Sequence, residues 1–234
     1  VLTREVRRRS LPQDVEGGRR TAARPDDAPL RLAGPLRLVG AGRTVAIVTR
    51  YPGDTHTLAD ALAPVLCPPV VRSGALTASM RVWGRVPAGE WSKATTLHRE
   101  HPDVCDALAG YAETIAAAYR ELAPREYTVQ SAQVRAHRLA PTAPWTTGSV
   151  NRATATAYHR DTVNRTGSWS GMLVLRGGGA GGGELVLPEY GVALDLADGD
   201  VLFFDGGATY HGNLPLSVPP GGWRYSLPCY ALRL

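Results

Sequence analysis

Apolar residues recur along this chain in two rhythms. In 102-PDVCDALAGYAETIAAAYREL-122, Val104, Leu108, Tyr111, Ile115 and Leu122 fall on one face of a helix. Pro102 suits its first turn and Pro124 closes it. A shorter segment of the same kind, 56-HTLADALAPVL-66, is stopped by the Cys67-Pro68-Pro69 run. Elsewhere the apolar positions come in brief runs bounded by Gly, Pro and Asp, the pattern of short strands. Two precede the long helix, 44-TVAIVTR-50 and 75-ALTASMRVWGRV-86. The rest follow it: 126-EYTVQSAQVRAHRL-139, 149-SVNRATATAYHR-160, 169-WSGMLVLR-176, 184-ELVLP-188, 192-VALDL-196, 201-VLFFD-205 and 223-WRYSLPCYALRL-234. Helices early and many short strands late predict an α+β fold. Its core is a double-stranded β-helix, or jelly roll, over about 126–234, with helical support over about 36–125 packed on one outer face.

Residues 1–35 mix Arg, Asp, Gly and Pro without period and predict a flexible, Arg-rich N-terminal arm ahead of a single domain at 36–234. The run 177-GGGAGGG-183 has neither GK[ST] nor a helix after it, so it reads as a hairpin connection rather than a phosphate loop. The formal charge of +5 changes this picture little. Residues 1–50 hold eleven arginines against five acids, whereas the remainder is nearly balanced. The excess belongs to the arm, which could hold phosphates or stay solvated, and 7-RRR-9 is ordinary for a solvated tail. No apolar run approaches the roughly 20 residues of a membrane helix, so no membrane partner is expected. The first residues lack the apolar stretch of a secretory signal. Cys67, Cys105 and Cys229 form no CxxC pair, which predicts a reducing compartment, nuclear or cytoplasmic.

Candidate chemistry begins at 157-AYHRDTVN-164. His159 and Asp161 lie two residues apart in a segment that reads as a strand, and so share a face. His211, in 209-TYHGN-213, follows the strand VLFFD and is separated from them mainly by strands. Two imidazoles and one carboxylate make the facial triad of non-haem iron oxygenases, which leaves coordination positions open for a chelating cosubstrate and for O2. Arg224 comes thirteen residues after His211. A 2-oxoglutarate molecule chelating the iron leaves its second carboxylate in a dry pocket, where a guanidinium offers a bidentate match. Ser226, two residues on and on the same face, is placed to add a hydroxyl, and Tyr230 continues that face.

The segments HRDTVN (159–164), GGELVLPEYGVALDLADGDVLFFD (182–205), YHGN (210–213) and WRYSLPCY (223–230) resemble the TET/JBP-like dioxygenases. That family oxidises the methyl group of 5-methylcytosine or thymine in DNA. The resemblance covers about residues 126–234. It implies Fe(II) on His159, Asp161 and His211, with 2-oxoglutarate on Arg224 and Ser226. It further implies a flipped 5-methylcytosine that meets Asn164 and stacks on Tyr230, and DNA as the partner; the sequence does not give the oligomeric state, and a monomer is the expectation. Family members often carry a base-contacting histidine eight residues after the arginine, where this chain has Leu232.

Plainer readings stand beside these. The triad residues could be polar groups at strand ends, or a zinc site, although no HExxH helix supports zinc. Arg224 could be a surface cation, against which its flanks Trp223 and Leu227 argue. Asn164 suits a turn, Tyr230 suits a core, and Asn151 either lines a pocket or caps a strand end. His98, His101 and His56 fit helix starts, and His137 fits a surface strand. Two other reactions fit the same residues: transfer of a glyceryl unit from ascorbate onto 5-methylcytosine, as in algal relatives of this family, and 2-oxoglutarate-dependent hydroxylation of a protein or small molecule. A DNA-binding module with a degenerate site is the remaining rival.

Overall fold

The computed structural model describes residues 1–16, 21–72, 76–88 and 91–233. The first residue of the 75–86 strand candidate and the last of 223–234 lie outside these. A large mixed sheet runs in the order Leu2–Val6, Leu36–Gly40, Arg43–Arg50, Asp200–Phe204, Ser170–Gly177, Trp223–Tyr230, Thr147–Arg152, Leu76–Ala88 and Pro69–Arg72. A smaller sheet is ordered Gly212–Asn213, Leu185–Leu187, Val192–Asp195 and Leu30–Ala33. Alternation along the central strands sends neighbouring side chains to two different cores. Ile47, Leu173, Leu175, Val201 and Phe203 meet the helices, among them Leu108, Tyr111 and Ile115 of the helix Pro102–Leu122. Their neighbours Ala46, Val48, Val174, Leu202 and Phe204 meet Leu185, Leu187, Val192 and Leu194 of the smaller sheet. Two sheets face each other with helices on one outer surface, the jelly-roll arrangement expected. No helix among the described residues is long and apolar enough to cross a membrane.

Four expectations change. The segment 126–139 is not a strand; Pro124–Gln133 is a helix. Its Val129 is 51% exposed, while polar Gln130 is its buried residue. The Gln130 amide accepts from Tyr119 Oη at 3.1 Å and from Trp169 N at 2.8 Å, and donates to the carbonyls of Pro144 and Trp169. A buried side chain satisfied at both ends of its amide costs little, and it reverses the face that apolarity alone selects. His137 sits in a turn at φ 58°, not in a surface strand.

The strand expected over 149–160 stops at Arg152, where Ala153 at φ 46° turns the chain. The described residues among 1–35 do not form a loose arm. Leu2–Val6 pairs in parallel with Leu36–Gly40, Leu30–Ala33 pairs in parallel with Val192–Asp195, and Val15, Ala23 and Ala28 are buried. A strand whose partner is remote in sequence needs no internal period of its own. Within the support over 36–125, Arg43–Arg50 and Leu76–Ala88 fall where strands were expected and, with Leu36–Gly40, belong to the main sheet.

Candidate active site

Between the two sheets, at one end, opens a cavity of about 170 Å³. His159 and His211 meet there through the backbone: His159 N donates to His211 O at 2.9 Å and His211 N to His159 O at 3.0 Å. This single antiparallel pair, rather than a continuous strand, joins the HRD segment to the YHG segment. Asp161 N donates to Gly206 O at 2.9 Å, which brings the carboxylate under the same two imidazoles. One ligand atom from each of His159, Asp161 and His211 lies within 4.8 Å of the others. His159 Nε2 is 3.5 Å from Asp161 Oδ1, and His211 Nε2 is 3.9 Å from Asp161 Oδ2.

The ring orientation suits a cation. His159 Nδ1 is 2.8 Å from the Ala157 carbonyl and His211 Nδ1 is 3.0 Å from the Thr209 carbonyl. A proton on each Nδ1 satisfies that carbonyl and leaves both Nε2 lone pairs facing Asp161. Burial pushes His211 well down, to about 4, so near neutral pH its imidazole is uncharged and able to ligate. Phe204 stands edge-on to the His211 ring, with centroids 4.9 Å apart, and closes the apolar side. Gly206 allows the close fit, since a Cβ there would lie 2.6 Å from Asp161 Oδ2.

On the far wall Arg224 is 2% exposed. Its Nη2 donates to Gly183 O at 3.1 Å, yet its buried Nε has no hydrogen-bond partner. No ion pair to Arg224 forms among the described residues, and burial, followed by the like charge of Arg176, lowers its pKa to about 10. A cation this deep calls for an anion. The space beside it fits a small diacid that also reaches the triad, and Ser226 Oγ, accepting from Asn151 Nδ2 at 3.4 Å, lies on the same wall. The donor set and the orphaned guanidinium fit Fe(II) and 2-oxoglutarate.

Asn164 and Tyr230 also line the cavity, so all seven residues singled out in the sequence converge on it. Asn164 Nδ2 donates to Ser170 Oγ at 3.3 Å, and its backbone pairs with Leu232. Leu232 itself is buried and lies outside the lining. Asn151 lines the cavity as well.

Other contributors were not singled out. Gly183, at φ 74°, presents its carbonyl to both Arg224 and Asn213 Nδ2, and a Cβ there would lie 3.2 Å from Arg224 Cζ. The glycine run is therefore partly a cradle for the guanidinium. Asn213 lines the cavity within the quoted YHGN segment, two residues beyond His211, a spacing that could have flagged it. Glu189, 3% exposed, binds Arg160 at 3.1 Å and Arg8 at 3.2 Å. The Arg160 guanidinium in turn lies over the Tyr210 ring at 4.1 Å. Thus 7-RRR-9 is not simply a solvated tail.

The model of the Tet_JBP family, the oxygenase domain of the 2OGFeDO superfamily, matches residues 84–233. The bifunctional helicase and thymine dioxygenase JBP2 of Trypanosoma brucei brucei is 35% identical over 113 residues. That stretch is 48% of this chain and 10% of that protein, so the chain spans about a tenth of this curated relative. Among solved structures, NgTET1 in complex with 5mC DNA superposes with a TM-score of 0.65 at 11% identity, covering 91% of this chain and 80% of that one. A 2OG-Fe(II) oxygenase family oxidoreductase from Burkholderia pseudomallei gives 0.53 at 16% identity, covering 81% and 88%. These two likenesses are of fold; the family rests on the matched residues. By that match over most of its length, this chain belongs to the TET/JBP family of oxygenase domains and is an Fe(II)- and 2-oxoglutarate-dependent dioxygenase.

Proposed function

We propose that this enzyme oxidises the methyl group of 5-methylcytosine in DNA, reaching the base by flipping it out of the helix. The observation that carries the reading is one cavity lined by the three ligands, the unpaired guanidinium of Arg224 and, with them, Asn164 and Tyr230. When bound, Fe(II), 2-oxoglutarate and O2 supply an oxidant that exchanges a methyl hydrogen for hydroxyl, releasing succinate and carbon dioxide.

The chain's own residues do the rest. His159, Asp161 and His211 would hold the metal, the two imidazoles through Nε2 and Asp161 through its carboxylate. Arg224 and Ser226 would grip the diacid's distal carboxylate and so orient it toward the triad. A base stacked in a duplex cannot enter a cavity between two sheets, so it must leave the stack at a cost of a few kcal/mol. Tyr230 is placed to regain about 1–3 kcal/mol by stacking. Asn164 offers an amide to the base edge, a group that can both donate and accept.

Thymine is the second reading, favoured by the 35% identity to a thymine dioxygenase. Mass spectrometry of oligonucleotides carrying either base, incubated with protein, Fe(II) and 2-oxoglutarate or ascorbate, decides among the substrates. One added oxygen on 5-methylcytosine is the expected product. One added oxygen on thymine alone moves the assignment to that base. A glyceryl adduct formed with ascorbate identifies the transferase chemistry, and unchanged DNA alongside hydroxylated peptide removes DNA as the substrate.

A further inference from the structure

Val163 is 65% exposed and lines the cavity. The other exposed large apolar side chains among the described residues are Val1, Leu2, Leu30, Leu66 and Val129, and none of them lines it. A lone exposed valine is unremarkable on a protein surface. What sets Val163 apart is where it stands and how firmly. It occupies the turn between Asp161 and Asn164, closed by Asn164 N donating to Asp161 O at 3.0 Å. On one side Asp161 N is tied to Gly206 O, and on the other Arg165 N donates to Ala231 O at 2.8 Å. The turn is thus fastened on both flanks, and a β-branched side chain at its tip has little rotamer freedom left to lose.

Cations follow directly. Arg165 Nε donates to Leu232 O at 3.1 Å and Arg233 Nη2 to Thr166 Oγ1 at 3.0 Å, which places two guanidinium groups along the segment that follows the tip. An apolar point next to arginines at the mouth of a cavity matches a duplex from which one base has been withdrawn. Phosphates meet the cations, and the vacated gap in the stack meets the apolar point. Having no polar side-chain atom, Val163 cannot read a base edge; its contribution is to occupy space.

We infer that Val163 is a wedge that fills the gap left in duplex DNA by the flipped base, with Arg165 and Arg233 holding the adjacent backbone. The inference rests on the DNA reading above. A wedge matters only when there is a stack to hold open, so its removal distinguishes duplex from single strand.

The test compares wild type with Val163→Ala and Val163→Ser on 5-methylcytosine in a paired duplex, in a single strand and in a single-stranded overhang. For the variants, kcat/KM on the paired duplex falls about ten-fold or more, and stays within about two-fold on the other two substrates. In a binding assay with a 2-aminopurine neighbour, the fluorescence rise that wild type produces on paired duplex is lost in the variants. Unchanged duplex turnover, or an equal fall on all three substrates, overturns the wedge while leaving the DNA reading in place. Wild type that leaves all three DNAs unmodified overturns the DNA reading, and the wedge with it.

Discussion

Arg224 keeps its charge in a setting that does little to balance it. Burial holds its pKa near 10, still above neutrality, so the guanidinium remains ionised while lacking a carboxylate partner. An unanswered buried charge opposes folding. Arg224→Met should therefore raise the melting temperature of the ligand-free protein, and abolish the further rise that 2-oxoglutarate gives wild type. That rise corresponds to about 2.7 kcal/mol when the ligand is at a hundred times its dissociation constant. Thermal melts with and without 2-oxoglutarate check both halves, and a variant that still responds to the diacid contradicts the anchor. Glu189 acts at one remove, through Arg160, whose neighbours in sequence are two of the ligands. Glu189→Gln leaves the volume but removes the ion pairs, and should weaken binding of Co(II), as a stand-in for Fe(II), by about ten-fold. Titration followed by cobalt absorbance measures it. For Tyr230→Ala, oxidation of DNA should drop well below wild type while uncoupled decarboxylation of 2-oxoglutarate persists. Equal loss of the two would mean the ring serves the core rather than the base.

Among elements, the helix Pro102–Leu122 is tied to the sheet by one phenol. The Trp223–Tyr230 strand pairs with Ser170–Gly177, with Leu227 opposite Leu173. At that pair the buried Tyr111 hydroxyl donates to Leu227 O and accepts from Leu173 N at 3.3 Å. Burial pushes this phenol well above its ordinary value, so it stays protonated and remains a donor. Tyr111→Phe leaves the carbonyl unanswered in the core and should cost about 1–3 kcal/mol in urea unfolding. No change in the midpoint would show that water or a shifted strand replaces the bond. This helix is legible in the sequence because its stripe is apolar at nearly every inward position. The next helix, Pro124–Gln133, is not, because its buried anchor is an amide whose partners lie on other segments.

For the whole molecule, the leading residues are structural. Deleting residues 1–9 removes a parallel strand from the edge of the main sheet and the Arg8 contact to Glu189. A loss of about 1 kcal/mol would lower the melting temperature by about 2–4 °C in a chain of this length. A deletion variant that melts with wild type would place these residues back among the dispensable. The sequence by itself determined the chemistry on offer: two imidazoles, a carboxylate, a guanidinium and a hydroxyl, the last two at the spacing a strand keeps on one face. It also determined the jelly-roll class, because local period follows from local burial. Only the tertiary structure decided that Gly183 cradles Arg224, that Glu189 ties the first residues to the HRD segment, and that one backbone pair carries His159 to His211. Each of those contacts joins residues at least 29 positions apart, and a period read along the chain carries no information about which distant backbone will lie beside it.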